Sequence, residues 1–127
     1  NYFHTSGASI LFEANGDFWY ESGGTLDVTI KNNTFDACRY AGWSDAVISC
    51  VPKKATLQDK YFGKDIKIIG NTFNMINDLV VAFNNVENAT FVGNKVTCAD
   101  GVSPKITAKH VKNANIETDT NVEYTEE

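Results

Sequence analysis

The sequence predicts an all-β fold, a right-handed parallel β-helix of about five coils, and three observations lead to this prediction. The 127 residues include nine Ile, eleven Val and twelve Thr but only four Leu, and β-branched residues favour strands over helices. A nine-residue pattern recurs along the chain at intervals typical of stacked coils. A second apolar pattern recurs between the copies of the first, so each coil is expected to contribute at least two strands.

The first repeat combines an alternating strand with an Asn-rich turn. Its copies are DVTIKNNTF at 27–35, DIKIIGNTF at 65–73, NATFVGNKV at 88–96 and a worn NANIETD at 113–119. The turn positions are Asn33, Asn71, Asn94 and Asp119, which are separated by 38, 23 and 25 residues. The first interval therefore contains an insertion of about 15 residues. The Asn side chains are expected to form a hydrogen-bonded ladder between coils, followed by an inward Phe35, Phe73 or Val96.

The second repeat is a short apolar segment in the other half of each coil. Its copies align as residues 8–12, 46–50, 79–83 and 106–110. Period-two alternation turns the first, third and fifth residue of each copy inward, and in the first repeat it turns inward 28 and 30, 66 and 68, 89 and 91, and 114 and 116. The right hand follows from the general preference for right-handed crossovers. A β-sandwich is the alternative, but it does not require repeats of 23 to 25 residues.

The chain is predicted to be a single domain, residues 1–127, cut from the C-terminal part of a longer β-helix. Asn1 begins a segment that resembles the Asn-Thr-Phe turn of the repeat, so the chain is expected to enter an existing coil. Three segments interrupt the repeat and are predicted loop insertions: 13–24, 36–45 and 52–64. In solenoids such insertions leave one face, and that face commonly binds a ligand.

Composition excludes several classes of function. Eleven basic residues stand against 16 acidic ones, a net charge of −5, which argues against nucleic acid as a partner. No apolar run approaches the roughly 20 residues of a membrane-spanning helix, so no membrane partner is predicted. Cys38, Cys50 and Cys98 match no zinc-site spacing. They are expected to be buried free thiols, and a Cys38–Cys50 disulfide is left as the alternative.

The segment 13–24 is the densest candidate for ligand binding. Its carboxylates Glu13, Asp17 and Glu21 are interleaved with aromatic residues, Trp19 among them. Aromatic faces stack on sugar rings while carboxylates accept hydrogen bonds from hydroxyls, so this mixture suits a carbohydrate. Trp43, in the second predicted loop, is a further candidate for substrate binding. The alternative is a solvated segment in which Trp19 only covers the helix.

Other constellations give weaker signals. His110 falls on an inward position and is expected to be a packed or hydrogen-bonded structural residue. Asp45 and Asp78 both precede a strand of the second repeat, so stacking could set two carboxylates close enough to attract Ca²⁺. Neither pattern is specific, and the sequence predicts no metal and no cofactor.

Residues 1–13, 17–23 and 28–35 resemble the later coils of the α-1,3-galactosidases of glycoside hydrolase family 110. The resemblance is specific over about residues 1–52 and generic beyond them. It implies a right-handed parallel β-helix and removal of terminal α-linked galactose with inversion. The family's catalytic aspartates lie in an Asp-Asp motif on earlier coils, and that motif has no counterpart here. The catalytic residues therefore stay unknown.

The resemblance implies an exo-acting α-galactosidase-like hydrolase, bacterial and secreted, whose location is extracellular or periplasmic because its glycan substrates lie outside the cytoplasm. This chain would be inactive alone and would contribute at most Glu13, Asp17, Trp19 and Glu21 to the pocket for terminal α-linked galactose. The alternative is a non-catalytic glycan-binding or structural β-helix module, such as an adhesin or spike segment.

Self-association is also predicted. A solenoid cut between coils exposes unpaired strand groups that can pair with another chain. Leu11, Val47 and Val80 take outward positions in the second repeat and are expected to form an apolar stripe. The alternative is that the insertion 52–64 folds back over this stripe.

Overall fold

The computed structural model describes residues 1–13, 25–38, 46–51, 63–118 and 121–126. These residues form eleven strands and contain no helix. The strands are β1 (Tyr2–Phe3), β2 (Ile10–Glu13), β3 (Thr25–Lys31), β4 (Thr34–Asp36), β5 (Ile48–Val51), β6 (Gly63–Ile69), β7 (Thr72–Met75), β8 (Leu79–Val92), β9 (Lys95–Cys98), β10 (Lys105–Ile116) and β11 (Glu123–Glu126). The prediction of an all-β protein is confirmed.

Every strand pairing is parallel. One sheet has the order β1-β4-β7-β9, and the other has the order β11-β10-β8-β5-β2, with β6 joining β3 to β8. Each strand therefore pairs with its counterpart in the next repeat and not with its neighbour along the chain. Phe35 pairs with Phe73 and Phe73 with Val96, at the predicted intervals of 38 and 23 residues. This order is compatible with a β-helix.

Columns of like residues fill the interior. The inward positions of the first repeat pair as Val28–Ile66–Ala89–Ala114 and Ile30–Ile68–Phe91–Ile116. Ile66, Ile68 and Phe91 have no exposed surface. Because parallel strands in register lie about 4.8 Å apart, each apolar side chain packs on the same position of the next repeat. The predicted inward set of the first repeat is confirmed.

The predicted turn and its ladder are confirmed at the described positions. Asn71 Oδ1 accepts hydrogen bonds from the backbone N and the Nδ2 of Asn33, at 2.8 and 3.1 Å. Asn94 Oδ1 accepts the corresponding pair from Asn71, at 2.8 and 3.0 Å. The amino group of Asn1 donates to Asn33 Oδ1 at 3.1 Å, so the first residue occupies the predicted turn position. Asp119 lies outside the described residues.

An aromatic stack follows this ladder. The rings of Phe3 and Phe35 lie 5.0 Å apart and those of Phe35 and Phe73 lie 4.8 Å apart, with planes within 10° of parallel. Phe73 then meets Phe91 of the opposite sheet at 5.8 Å. The stack fills the narrow interior where the turn joins the two sheets, and Val96, also buried, continues it.

A second column of left-handed residues was not predicted. Asp27, Asp65, Asn88 and Asn113 have φ between 54° and 63°. Their side chains are also joined, because Asn88 Nδ2 donates to Asp65 Oδ1 at 2.7 Å and Asn113 Nδ2 donates to Asn88 Oδ1 at 2.9 Å. Asp and Asn tolerate this backbone region better than other residues with a Cβ. The signal was present in the sequence, since these residues open the four copies of the first repeat.

The predicted alignment of the last copy of the second repeat is wrong. Ile106 pairs with Val81, two positions from the predicted partner Leu79. The register shifts between Lys105 and Ile106, because Val80 is an extra residue in β8. His110 then falls opposite Asn85, and both adopt positive φ at a bend. The ring Nδ1 lies 2.8 Å from Asn85 Oδ1, so His110 is hydrogen-bonded as predicted, but at a bend and not inside a strand.

The predicted apolar stripe is not exposed. Val47 and Val80 are buried, at 1% and 0% exposure, whereas Leu11 is 54% exposed. Leu11 pairs with Ser49 and therefore does not align with either valine. The bulge at Val80 is the physical reason on β8, because it turns two consecutive residues into buried surroundings. Self-association through the exposed strands at the ends of the sheets stays a prediction.

The cysteines are free. Cys38 and Cys50 are buried, as predicted, and the alternative disulfide between them is not formed. Cys98 is exposed, contrary to the prediction, because it is the last residue of β9 and pairs only with Met75. Within the described ranges, no helix has the length and apolar character needed to cross a membrane.

Candidate functional site

The strands that flank the predicted insertions mark one edge of the larger sheet. β2 ends at Glu13, paired with Val51 at the end of β5. The segments 14–24 and 52–62 follow these two residues, and residues 39–45 precede β5. In the continuing register Val51 lies beside Asn84 of β8, which in turn pairs with Lys109 of β10. Glu13, Val51, Asn84 and Lys109 thus form one row, which we call the loop-side row.

The predicted sugar-binding residues meet the described structure only at the beginning of this row. Glu13 is placed as the last residue of β2. Asp17, Trp19, Glu21 and Trp43 lie outside the described residues, so their role stays a prediction. The described ends of the predicted loops are partly strand, since Asp36 belongs to β4 and Gly63 and Lys64 belong to β6.

A cavity of about 180 Å³ lies at the other end of the loop-side row. Its described lining is Asn84, Thr107, Ala108, Lys109 and Thr125, and we call it the Asn84 cavity. Thr107 and Thr125 are directly paired on β10 and β11, with Lys109 two residues further along β10. Sequence reasoning missed this cavity, because the misaligned last copy placed Lys109 beside Ala82 and not beside Asn84.

Asn84 is the most constrained residue of the cavity. Its side chain is buried, with 8% exposure for the residue, and Nδ2 donates to the Cys50 carbonyl at 2.9 Å. This hydrogen bond links β8 to β5 beyond the last paired residues of these strands. Burial raises the pKa of the neighbouring Cys50 thiol from 9.0 to about 12, so the wall behind Asn84 is neutral at physiological pH.

Other ionisable groups are spread over the surface. Asp78 forms an ion pair with Lys105 at 3.3 Å, while Asp45, its predicted calcium-binding partner, lies outside the described residues. His4 Nδ1 lies 2.7 Å from the Asp36 carbonyl on the smaller sheet. Tyr2 donates to the Asp36 carboxylate, and this hydrogen bond raises the pKa of Tyr2. In the described ranges no group of three or more His, Cys, Asp or Glu could hold a metal ion.

Comparison with known proteins identifies the class of protein. The chain is 36% identical over 96 residues to "Alpha-1,3-galactosidase A" of Shewanella woodyi, covering 76% of this chain and 16% of that protein. It is 36% identical over 98 residues to "Alpha-1,3-galactosidase B" of Bacteroides thetaiotaomicron, with 74% and 16% covered. "Alpha-1,3-galactosidase A" of Bacteroides fragilis is 40% identical over 74 residues, with 57% and 12% covered. No family model matches the chain.

The parallel strands and these similarities define a segment related to glycoside hydrolases. More narrowly, the chain is homologous to α-1,3-galactosidases, as its sequence indicated. The chain spans about one sixth of the length of the relatives that it matches.

Proposed function

We propose that this chain is part of an exo-acting α-galactosidase-like glycoside hydrolase and that it helps to form the galactose pocket without being catalytic alone. The observation that carries the proposal is 36% identity, over about three-quarters of the chain, to two proteins named α-1,3-galactosidase. Because the match covers 16% of each relative, most of such an enzyme lies outside the matched segment. In this proposal the segment is the C-terminal part of the enzyme's β-helix.

The fold belongs to the same proposal. Parallel pairing at intervals of 38, 23 and 25 residues and the ladder through Asn33, Asn71 and Asn94 support a right-handed parallel β-helix of about five coils. A β-sandwich would be built largely from antiparallel pairs, and the described strands form none. Right-handed crossovers are strongly preferred in parallel sheets.

The galactose pocket is proposed to use the segments that join the larger sheet. Glu13, Asp17 and Glu21 would accept hydrogen bonds from sugar hydroxyls, while Trp19 and Trp43 would stack on the ring. The position of Glu13 at the end of β2, and of residues 39–45 directly before β5, supports this arrangement because β2 and β5 are paired neighbours. The enzyme is proposed to act outside the cytoplasm, either extracellularly or in the periplasm.

The test compares the 127-residue chain with the full open reading frame that contains it. Both are purified and incubated with an α-1,3-linked galactose disaccharide, and free galactose is measured. We expect release by the full protein and none by the chain alone. Release by the chain alone would place the active site within residues 1–127. No release by either protein would favour the non-catalytic adhesin-like or spike-like module.

Variants of the full protein test the pocket. Asp17→Asn and Trp19→Ala are expected to raise KM at least tenfold, because each removes a contact with the terminal sugar. Lys112→Met, an exposed change on β10, is the matched control and leaves KM unchanged. Equal kinetics for all three variants would remove the segment 13–24 from the pocket.

A further inference from the structure

The Asn84 cavity contains a buried acceptor that the described structure leaves unused. Asn84 Nδ2 is satisfied by the Cys50 carbonyl, but Oδ1 accepts no hydrogen bond from any described residue. A buried polar atom without a partner costs about 1–3 kcal/mol, and such atoms are rare in native proteins. The cavity beside Asn84 gives a donor on a ligand room to reach this oxygen.

The other polar groups of the cavity are also available. Thr107 and Thr125 lie at paired positions on adjacent strands, and neither hydroxyl has a hydrogen bond within the described part of the chain. Lys109 has no ion pair there either, although its ammonium group carries three donors. The lining therefore offers one acceptor, one cation and two hydroxyls that both donate and accept. This mixture matches a ring that bears several hydroxyl groups.

Size and position narrow the ligand further. At about 180 Å³ the cavity is smaller than the roughly 300–1,000 Å³ of pockets for drug-sized molecules, so it fits a single sugar ring. Asn84 lies two strands from Glu13 along the loop-side row, or about 10 Å at ordinary strand spacing. A ligand in the cavity would therefore be a neighbour of a sugar bound by the segment 13–24.

We propose that the Asn84 cavity is a second carbohydrate subsite, which binds a neutral sugar residue through Asn84 Oδ1, the Thr107 and Thr125 hydroxyls and the Lys109 ammonium. The proposal deepens the proposed function and rests on it for the class of ligand. Asn84 Oδ1 accepts from one ring hydroxyl, Lys109 donates to another, and the threonines orient the ring between β10 and β11.

The experiment is an NMR titration of the 127-residue chain with methyl α-D-galactopyranoside. We expect shifts of the backbone amides of residues 84, 107–109 and 125, with a dissociation constant in the millimolar range that is ordinary for weak binding. Thr107→Val and Lys109→Met are each expected to weaken binding about three- to tenfold, because each removes one hydrogen-bonding group without emptying the cavity. Thr90→Val and Lys112→Met make the same changes outside the cavity and leave the affinity unchanged.

Three results would overturn the proposal. Equal affinity of the cavity variants and their controls would exclude the cavity as the sugar site. Binding of inorganic sulfate that depends on Lys109, without shifts from the sugar, would mark an anion site. Shifts that disappear in Trp19→Ala but persist in Thr107→Val would place the sugar in the segment 13–24.

The last of these results leaves the proposed function intact, as does galactose release by the full protein when the cavity is silent. Conversely, sugar binding in the cavity without hydrolysis by the full protein would support the subsite and refute the enzyme. The failure of one proposal can therefore be told apart from the failure of the other.

Discussion

The smaller sheet and the loop-side row of the larger sheet differ in how well their polar groups are satisfied. In the smaller sheet Asn71 is 1% exposed, and its amide bonds Asn33, Asn94 and the carbonyl of Ile30. In the loop-side row Asn84 is almost as buried, but only its Nδ2 has a partner among the described residues. The same residue type thus stabilises the repeat in one place and leaves a binding capacity in the other.

The difference follows from the regularity of the two regions. The pairs of β4 with β7 and of β7 with β9 contain no register shift, so each Asn meets another Asn at the same height. In the larger sheet the bulge at Val80 and the segments beside β2 and β5 break this correspondence. Asn84 consequently faces Lys109 and a cavity and not an identical residue.

The largest expected effect is the loss of the aromatic stack. Phe73→Ala removes a ring with no exposed surface between Phe35 and Phe91, and it is expected to lower the free energy of unfolding by about 3–5 kcal/mol. Ile76→Ala, at a residue that is 41% exposed, is the control and should change it by less than about 1 kcal/mol. Urea denaturation measures both. Equal effects would show that the stack does not dominate the core.

The second expected effect concerns the ladder. Asn71→Ala leaves the backbone N of Asn33 and the carbonyl of Ile30 without their side-chain partners. We expect a loss of about 2–3 kcal/mol, since buried groups lose their hydrogen bonds. Asn115→Ala, an exposed change on β10, is the control and should stay within about 0.5 kcal/mol of the parent chain. A small effect of Asn71→Ala in the same titration would refute a stabilising ladder.

The smallest effect is a pH dependence that originates behind the Asn84 cavity. Because burial raises the Cys50 pKa from 9.0 to about 12, the folded chain holds this proton after the unfolded chain has lost it. Stability contributed by the neutral thiol is therefore complete below pH 9 and is lost as the pH rises from 9 toward 12. The slope is at most about 1.4 kcal/mol per pH unit.

This slope can be measured between pH 9 and 10, below the ordinary pKa of tyrosine, by urea denaturation. Cys50→Val is the control, since it keeps the site apolar and removes the titrating group. An unchanged slope in Cys50→Val would show that another group titrates.

Several features of the fold could be predicted because the repeat states them locally. The recurring Asn-Thr-Phe indicated the turn, the ladder and the inward Phe35 and Phe73, and the spacing fixed which strands pair. Parallel stacking forces like residues together, so a pattern in one dimension becomes a column in three. The candidate sugar-binding residues were found from composition alone, and their geometry cannot be deduced from sequence because carboxylate separation depends on how a segment folds.

What the sequence determined by itself is the all-β class, the parallel pairing of the first repeat and its interior columns, because period-two alternation and identical spacing leave one consistent register. Only the tertiary structure decided the register of the last strands and the burial of Val47 and Val80. It also decided the meeting of Asn84 with Thr107, Lys109 and Thr125. The physical reason is the bulge at Val80, since one inserted residue shifts every later partner and no local pattern in the apolar segment records it.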